Sequence, residues 1–150
     1  MSLPAFCATA ETCPWINAGT AGGVLGGPVN ATITHSQKNA NDVRCDFTGS
    51  RGAIEYELRV DVETMTSPRH EFAAYAAQCK SNSAPLKAIA TEAVICGNDA
   101  KPGQLSQRVV GRVRNQAFII RIGTNSPLET RASIEDKARR VAEQVAGNLF

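Results

Sequence analysis

No stretch of this 150-residue chain approaches the ~20 apolar residues of a membrane-spanning helix, so none is expected. The formal net charge is only +2, whereas nucleic-acid binding calls for a concentrated basic face. Aromatic residues make up 5% of the chain, and Trp15, Tyr56, Phe72, Tyr75 and Phe118 fall in core-like registers. That argues against a platform on which bases would stack. Histidine occurs twice, as His35 and His70, without the helical i, i+4 relation of a zinc-binding helix. No two cysteines have C-x-x-C spacing, which argues against a zinc ribbon and a thioredoxin-type redox site. No metal and no cofactor is implied.

What is present is an ordinary globular composition, 43% hydrophobic and 20% charged, in a chain of single-domain length. The cysteines say more. They are Cys7, Cys13, Cys45, Cys79 and Cys96, a set that fits structural disulfides in an exported protein. Cys79 ends one expected helix and Cys96 the next expected strand, so these two are paired. Cys13 precedes the first helix and Cys45 lies in a strand, which makes the second pair. Each bridge is worth about 2–4 kcal/mol. Residues 1–12 read as a flexible N-terminal segment, with residues 13–150 as one α+β domain. Ala8-Thr9-Ala10 has the A-x-A form of a signal-peptidase site. On that reading residues 3–10 are a signal-peptide remnant and Glu11 begins the mature chain.

Along the chain, Asn17 can cap a short helix that ends near Leu25, with Gly26-Gly27 as its stop. Gly19, Gly22 and Gly23 sit inside this helix, where glycine costs about 0.5–1 kcal/mol against alanine. Close packing on a sheet is the expected reason. The run Gly19–Gly27 also invites a phosphate-binding reading, but no strand precedes it, it holds no lysine, and G-x-G-x-x-G spacing is missing. Strands are expected at Val29–Ile33 and Val43–Thr48, with a hairpin turn at Gly49–Gly52. Then Ile54, Tyr56, Leu58, Val60 and Val62 alternate strictly with Glu55, Glu57, Arg59, Asp61 and Glu63. Such a strand has one face on a core and one in water. Ser67-Pro68 opens a helix with Phe72, Tyr75, Ala76 and Cys79 as its buried stripe. A loop over Ser81–Pro85, a strand at Glu92–Cys96 and a hairpin around Arg114-Asn115 follow. Ser126-Pro127-Leu128-Glu129 fits a capping box, after which Ile134, Ala138, Val141, Val145 and Leu149 form one helical stripe. The order α-β-β-β-α-β-β-β-α predicts an antiparallel sheet with helices packed on it.

Candidate sites are few. His70 belongs to the first turn of its helix and His35 borders a polar loop, and both read as exposed rather than catalytic. The acids of the strand at 54–63 are expected to pair across strands with the basic row Arg108, Arg112 and Arg114. The rival reading makes those three arginines a site for an acidic partner or anionic surface. Asn30-Ala31-Thr32 matches a glycosylation sequon.

Three stretches resemble small secreted or lipid-anchored bacterial proteins of unknown function. They are "CPWINAGTAGGVLGGPV" (13–29), "PLKAIATEAVI" (85–95), and "RVVGRVRNQAFIIRI" (108–122) followed by "KARRVAEQVAGNL" (137–149). Ala90-Thr91 stands where the group usually has Gly-Asp. The resemblance implies a PsbP-like α+β sandwich and supplies no catalytic residues. The expected function is a non-catalytic exported bacterial envelope domain, secreted or periplasmic, that binds an unknown protein or small-molecule ligand. Two alternatives stay open. One is a small α+β hydrolase or other enzyme whose pocket between sheet and helices gathers Glu92, His70 and an arginine. The other is a structural assembly module, marked by a large exposed apolar patch.

Overall fold

The computed structural model describes residues 11–39, 41–79, 83–97 and 102–150. Cys7, the expected signal-peptidase site and residues 1–10 of the N-terminal segment lie outside the described residues. The elements run α1 (Ala18–Leu25), β1 (Asn30–His35), β2 (Val43–Arg51), β3 (Ile54–Thr64) and α2 (Pro68–Ala76). β4 (Ala84–Pro85), β5 (Glu92–Gly97), β6 (Leu105–Val113), β7 (Gln116–Thr124) and α3 (Arg131–Leu149) follow. The strands form one seven-stranded antiparallel sheet in the order β1-β2-β3-β7-β6-β5-β4. The α+β class thus agrees with the sequence reading, and the element order gains one strand. That strand is the two-residue β4, whose Ala84 and Pro85 pair with Ile95 and Val94 where a plain loop was expected.

Alternation along the strands decides the two faces. The inner face carries Phe47, Leu58, Val60, Phe118, Ile120 and Val109, all essentially buried. α3 lays its stripe on it, with Ile134, Ala138, Val141 and Val145 at 1% exposure or less. α1 packs on the same side, through Ala21 and Leu25. α2 covers part of the opposite face, where Phe72 and Cys79 cluster with Cys96, Val110 and Ala117. The rest of that outer face, over β1, β2, β3 and the near half of β7, is polar.

Local chemistry sets the boundaries. Asn17 caps α1 by accepting from the Thr20 N–H at 2.7 Å. At the other end Gly26 turns left-handed (φ +91°), and the N–H groups of Gly26 and Gly27 both donate to the Gly22 carbonyl. This fold-back explains Gly22, since a Cβ there would lie 2.8 Å from the Gly27 carbonyl oxygen. Tyr56 then fastens the connector. Its ring lies over Gly49, where a Cβ would be 2.3 Å from Cε2, and its hydroxyl donates to the Pro28 carbonyl at 2.9 Å.

Two boundaries and one cap depart from expectation. The β2–β3 turn is Gly52-Ala53, because Gly49–Arg51 stay in the ladder opposite Tyr56, Glu55 and Ile54. α3 starts four residues later than the capping box implied. Thr130 is its cap, accepting from the Ser133 N–H at 3.1 Å, while Ser126 folds back on the Leu128 N–H. At α2 the Ser67 side chain makes no capping bond, and Glu71 reaches back to the Ser67 N–H at 2.8 Å instead.

Candidate functional site

Cys13 is bonded to Cys45 and Cys79 to Cys96, the two pairs expected from the sequence. The first bridge ties the lead-in of α1 to the middle of β2. The second fastens Cys79 to β5 on the outer face; α2 ends at Ala76, three residues short of Cys79, which was expected to close the helix. No helix among the described residues is long and apolar enough to cross a membrane, a statement that leaves strands aside.

The three arginines of the basic row do not act together. Arg112 donates to Glu92 at 2.5 Å and to the Arg114 carbonyl at 2.9 Å. Arg114 sits in the β6–β7 turn with φ +56°, its N–H on Thr91. Arg108 lies half-covered just past the end of α2, donating to the Gln78 side-chain Oε1 at 3.3 Å. The expected pairing with the acids of β3 does not form, because β7 stands between β3 and β6. The acids find nearer partners. Asp61 takes Arg44 at 2.6 Å, a bond that raises the Arg44 pKa above its ordinary value. Glu63 accepts from the Tyr75 hydroxyl, and burial, followed by that carboxylate, holds the phenol above its usual range.

The histidines stay apart. His70 is exposed in the first turn of α2, and His35 at the end of β1 pairs with Glu11. Glu92 and Arg112 do meet, but on the outer face at β5–β6 rather than between sheet and helices. Among the described residues no group of three His, Cys, Asp or Glu side chains is placed to hold a metal ion.

A concave feature lies elsewhere. A cleft of about 770 Å³ opens over the outer face where β2, β3, β7 and β6 end together. Thr48, Glu55, Glu57, Arg121 and Ser106 lie along it, with the Pro28–Asn30 connector and Gln104 at its rim. The strand register places these groups. Thr48, Glu57, Gly123 and Ser106 form one row across the sheet, and Asp46, Arg59, Arg121 and Arg108 the next. The Glu57 carboxylate lies over Gly123, where a side chain's Cβ would be 3.4 Å from Oε1.

Charge in the second row is uneven. Arg59 is neutralised by Asp46 at 2.7 Å. Arg121 faces Arg59 on one side and Arg108 on the other, and makes no hydrogen bond or ion pair among the described residues. Burial first, and the Arg121 charge second, hold the Arg108 guanidinium below the ordinary arginine value. Its Nε is buried without a partner among the described residues. Glu55 and Glu57 likewise have no ion-pair partner among the described residues. The sequence reading passed over Arg121 because it stands inside the apolar run Phe118–Ile122. A signal was there. A hairpin around Arg114-Asn115 puts residues summing to 229 opposite each other, hence Arg108 beside Arg121.

Set against protein-family models, curated proteins and solved structures, the chain shows no significant match to any of them.

Proposed function

We propose that this chain is an exported bacterial domain, secreted or periplasmic, that binds a small polar ligand in the cleft over β3 and β7. The observation that carries the reading is Arg121, a guanidinium on the floor of that cleft with no partner among the described residues. Like charges directly opposite each other destabilise a sheet. A row that keeps three arginines against one carboxylate breaks a local rule, and functional sites are where such breaks are expected. The cleft's volume falls within the roughly 300–1,000 Å³ usual for small-molecule sites.

Export rests on the two disulfides, which form and persist in oxidising compartments. Helices on both faces of the antiparallel sheet support the closer likeness to a PsbP-like sandwich. The test is a thermal-shift screen of polar metabolites against the oxidised protein and Thr48→Trp, which fills the cleft from the exposed face of β2. Compounds that raise the Tm of the native chain and not of the variant support the reading. Equal shifts in both proteins, or none in either, refute it.

A further inference from the structure

The cleft floor is chemically polarised. Arginine offers only hydrogen-bond donors, and an ionised glutamate offers only acceptors. Arg121, backed by Arg108, supplies donors at one end, while Glu57 and Glu55 supply acceptors at the other. Glu57 and Arg121 are diagonal neighbours on one face, because Glu57 faces Gly123 and Arg59 faces Arg121. Diagonal neighbours lie about 7–8 Å apart, with their Cβ atoms somewhat closer, within reach of long side chains. Yet no ion pair joins them. Each keeps its bonding capacity turned to the cleft.

Arg108 is held where it can reinforce this arrangement. Cys96 is its neighbour on β5, and the Cys79–Cys96 bridge brings the segment just past α2, with Gln78, against it. The bridge therefore fixes the covered side of the arginine pair and leaves Arg121 exposed on the other. Arg59 cannot take the same part, since Asp46 already occupies it.

Taken on the reading that the cleft is a ligand site, we propose that its ligand is a small zwitterion, of the amino-acid or short-peptide class. The carboxylate lies on Arg121 with support from Arg108, and the ammonium lies between Glu57 and Glu55. A simple polyanion meets the two glutamates and a polyamine meets the arginines, so each is disfavoured by the half of the floor that matches its own sign.

NMR titration of the oxidised protein with three probes tests this: alanyl-alanine, citrate and spermidine. Alanyl-alanine is expected to bind saturably, at least tenfold tighter than either of the others. Arg121→Gln and Glu57→Gln should each weaken it about tenfold, and Arg114→Gln, in the turn away from the cleft, should leave it unchanged. Binding of citrate or spermidine in preference, lost in Thr48→Trp, overturns the zwitterion while leaving the cleft as a ligand site. Alanyl-alanine bound equally by Thr48→Trp overturns both. Absence of saturable alanyl-alanine binding overturns the zwitterion, and the metabolite screen then decides the cleft by itself.

Discussion

Removing the Cys13–Cys45 bridge should cost as much stability as truncating a large side chain in the core. The two cysteines are 32 residues apart, and closing a loop of that length removes about 3.7 kcal/mol of unfolded-state entropy at 25 °C. The Cys79–Cys96 loop spans 17 residues and is worth about 3.1 kcal/mol on the same basis. The two loops do not overlap, so full reduction should cost about 7 kcal/mol, within the 5–15 kcal/mol range of a domain's whole stability. α1 makes the first bridge matter most. It has eight residues, three of them glycine, and helices that short are marginal without external support. Urea unfolding of the oxidised protein, of Cys13→Ala/Cys45→Ala and of Cys79→Ala/Cys96→Ala measures both losses. Alanine is chosen because Cys45 is fully buried and a serine hydroxyl there would lack a partner. A loss below about 1 kcal/mol at Cys13–Cys45 would refute the reasoning, since it lies well under the chain-entropy value.

Other perturbations have equally definite signs. Arg121→Gln should stabilise the ligand-free protein by about 0.2–1 kcal/mol by relieving the charges of Arg59 and Arg108. Thermal melts should show that gain shrinking in 1 M salt, and a destabilised variant would count against an arginine row under repulsion. Glu129 accepts from Lys137 at 2.8 Å just ahead of α3. Burial pushes its pKa up, but the hydrogen bonds from Lys137 and Ser133 outweigh this and hold it below the ordinary 4.5. A depressed carboxylate stabilises above its unfolded value and loses that contribution as pH falls through the folded one. Glu129→Gln should therefore cost about 1–2 kcal/mol at pH 7, and the difference should vanish as the pH drops below about 4.5. Two neighbouring glycines in α1 should part company in a chemical melt. Gly23→Ala meets nothing within 4 Å and should gain about 0.5–1 kcal/mol, whereas Gly22→Ala collides with the Gly27 carbonyl and should destabilise.

The parts of the fold readable in advance were those decided by neighbours in sequence. The strict alternation of 54–63 put Tyr56, Leu58, Val60 and Val62 inside, and the stripe of α3 went to the core residue for residue. Asn17 and Gly26 bounded α1 because both act through local hydrogen bonds. The cap of α3 went to Thr130 rather than Ser126 because two hydroxyl residues competed and Ser126 closed a turn of its own. What stayed hidden was strand order. That β3 lies beside β7 follows from nothing local, and it decides both which charges pair and where the cleft opens. It moved the acids of β3 from the β6 arginines to Arg44 and Tyr75, and it left Arg121 between two arginines. The glycine-rich run, meanwhile, is a helix end that folds back to let Tyr56 hold the connector at the cleft's rim.

The most direct test of the central claim is a map of amide chemical-shift changes on the oxidised protein as a bound metabolite is titrated in. The account predicts that the changes concentrate at Thr48, Glu57, Arg121 and Gly123, across three strands that meet only through the sheet order. Changes centred instead on α1 and α3, on the opposite face, would contradict it.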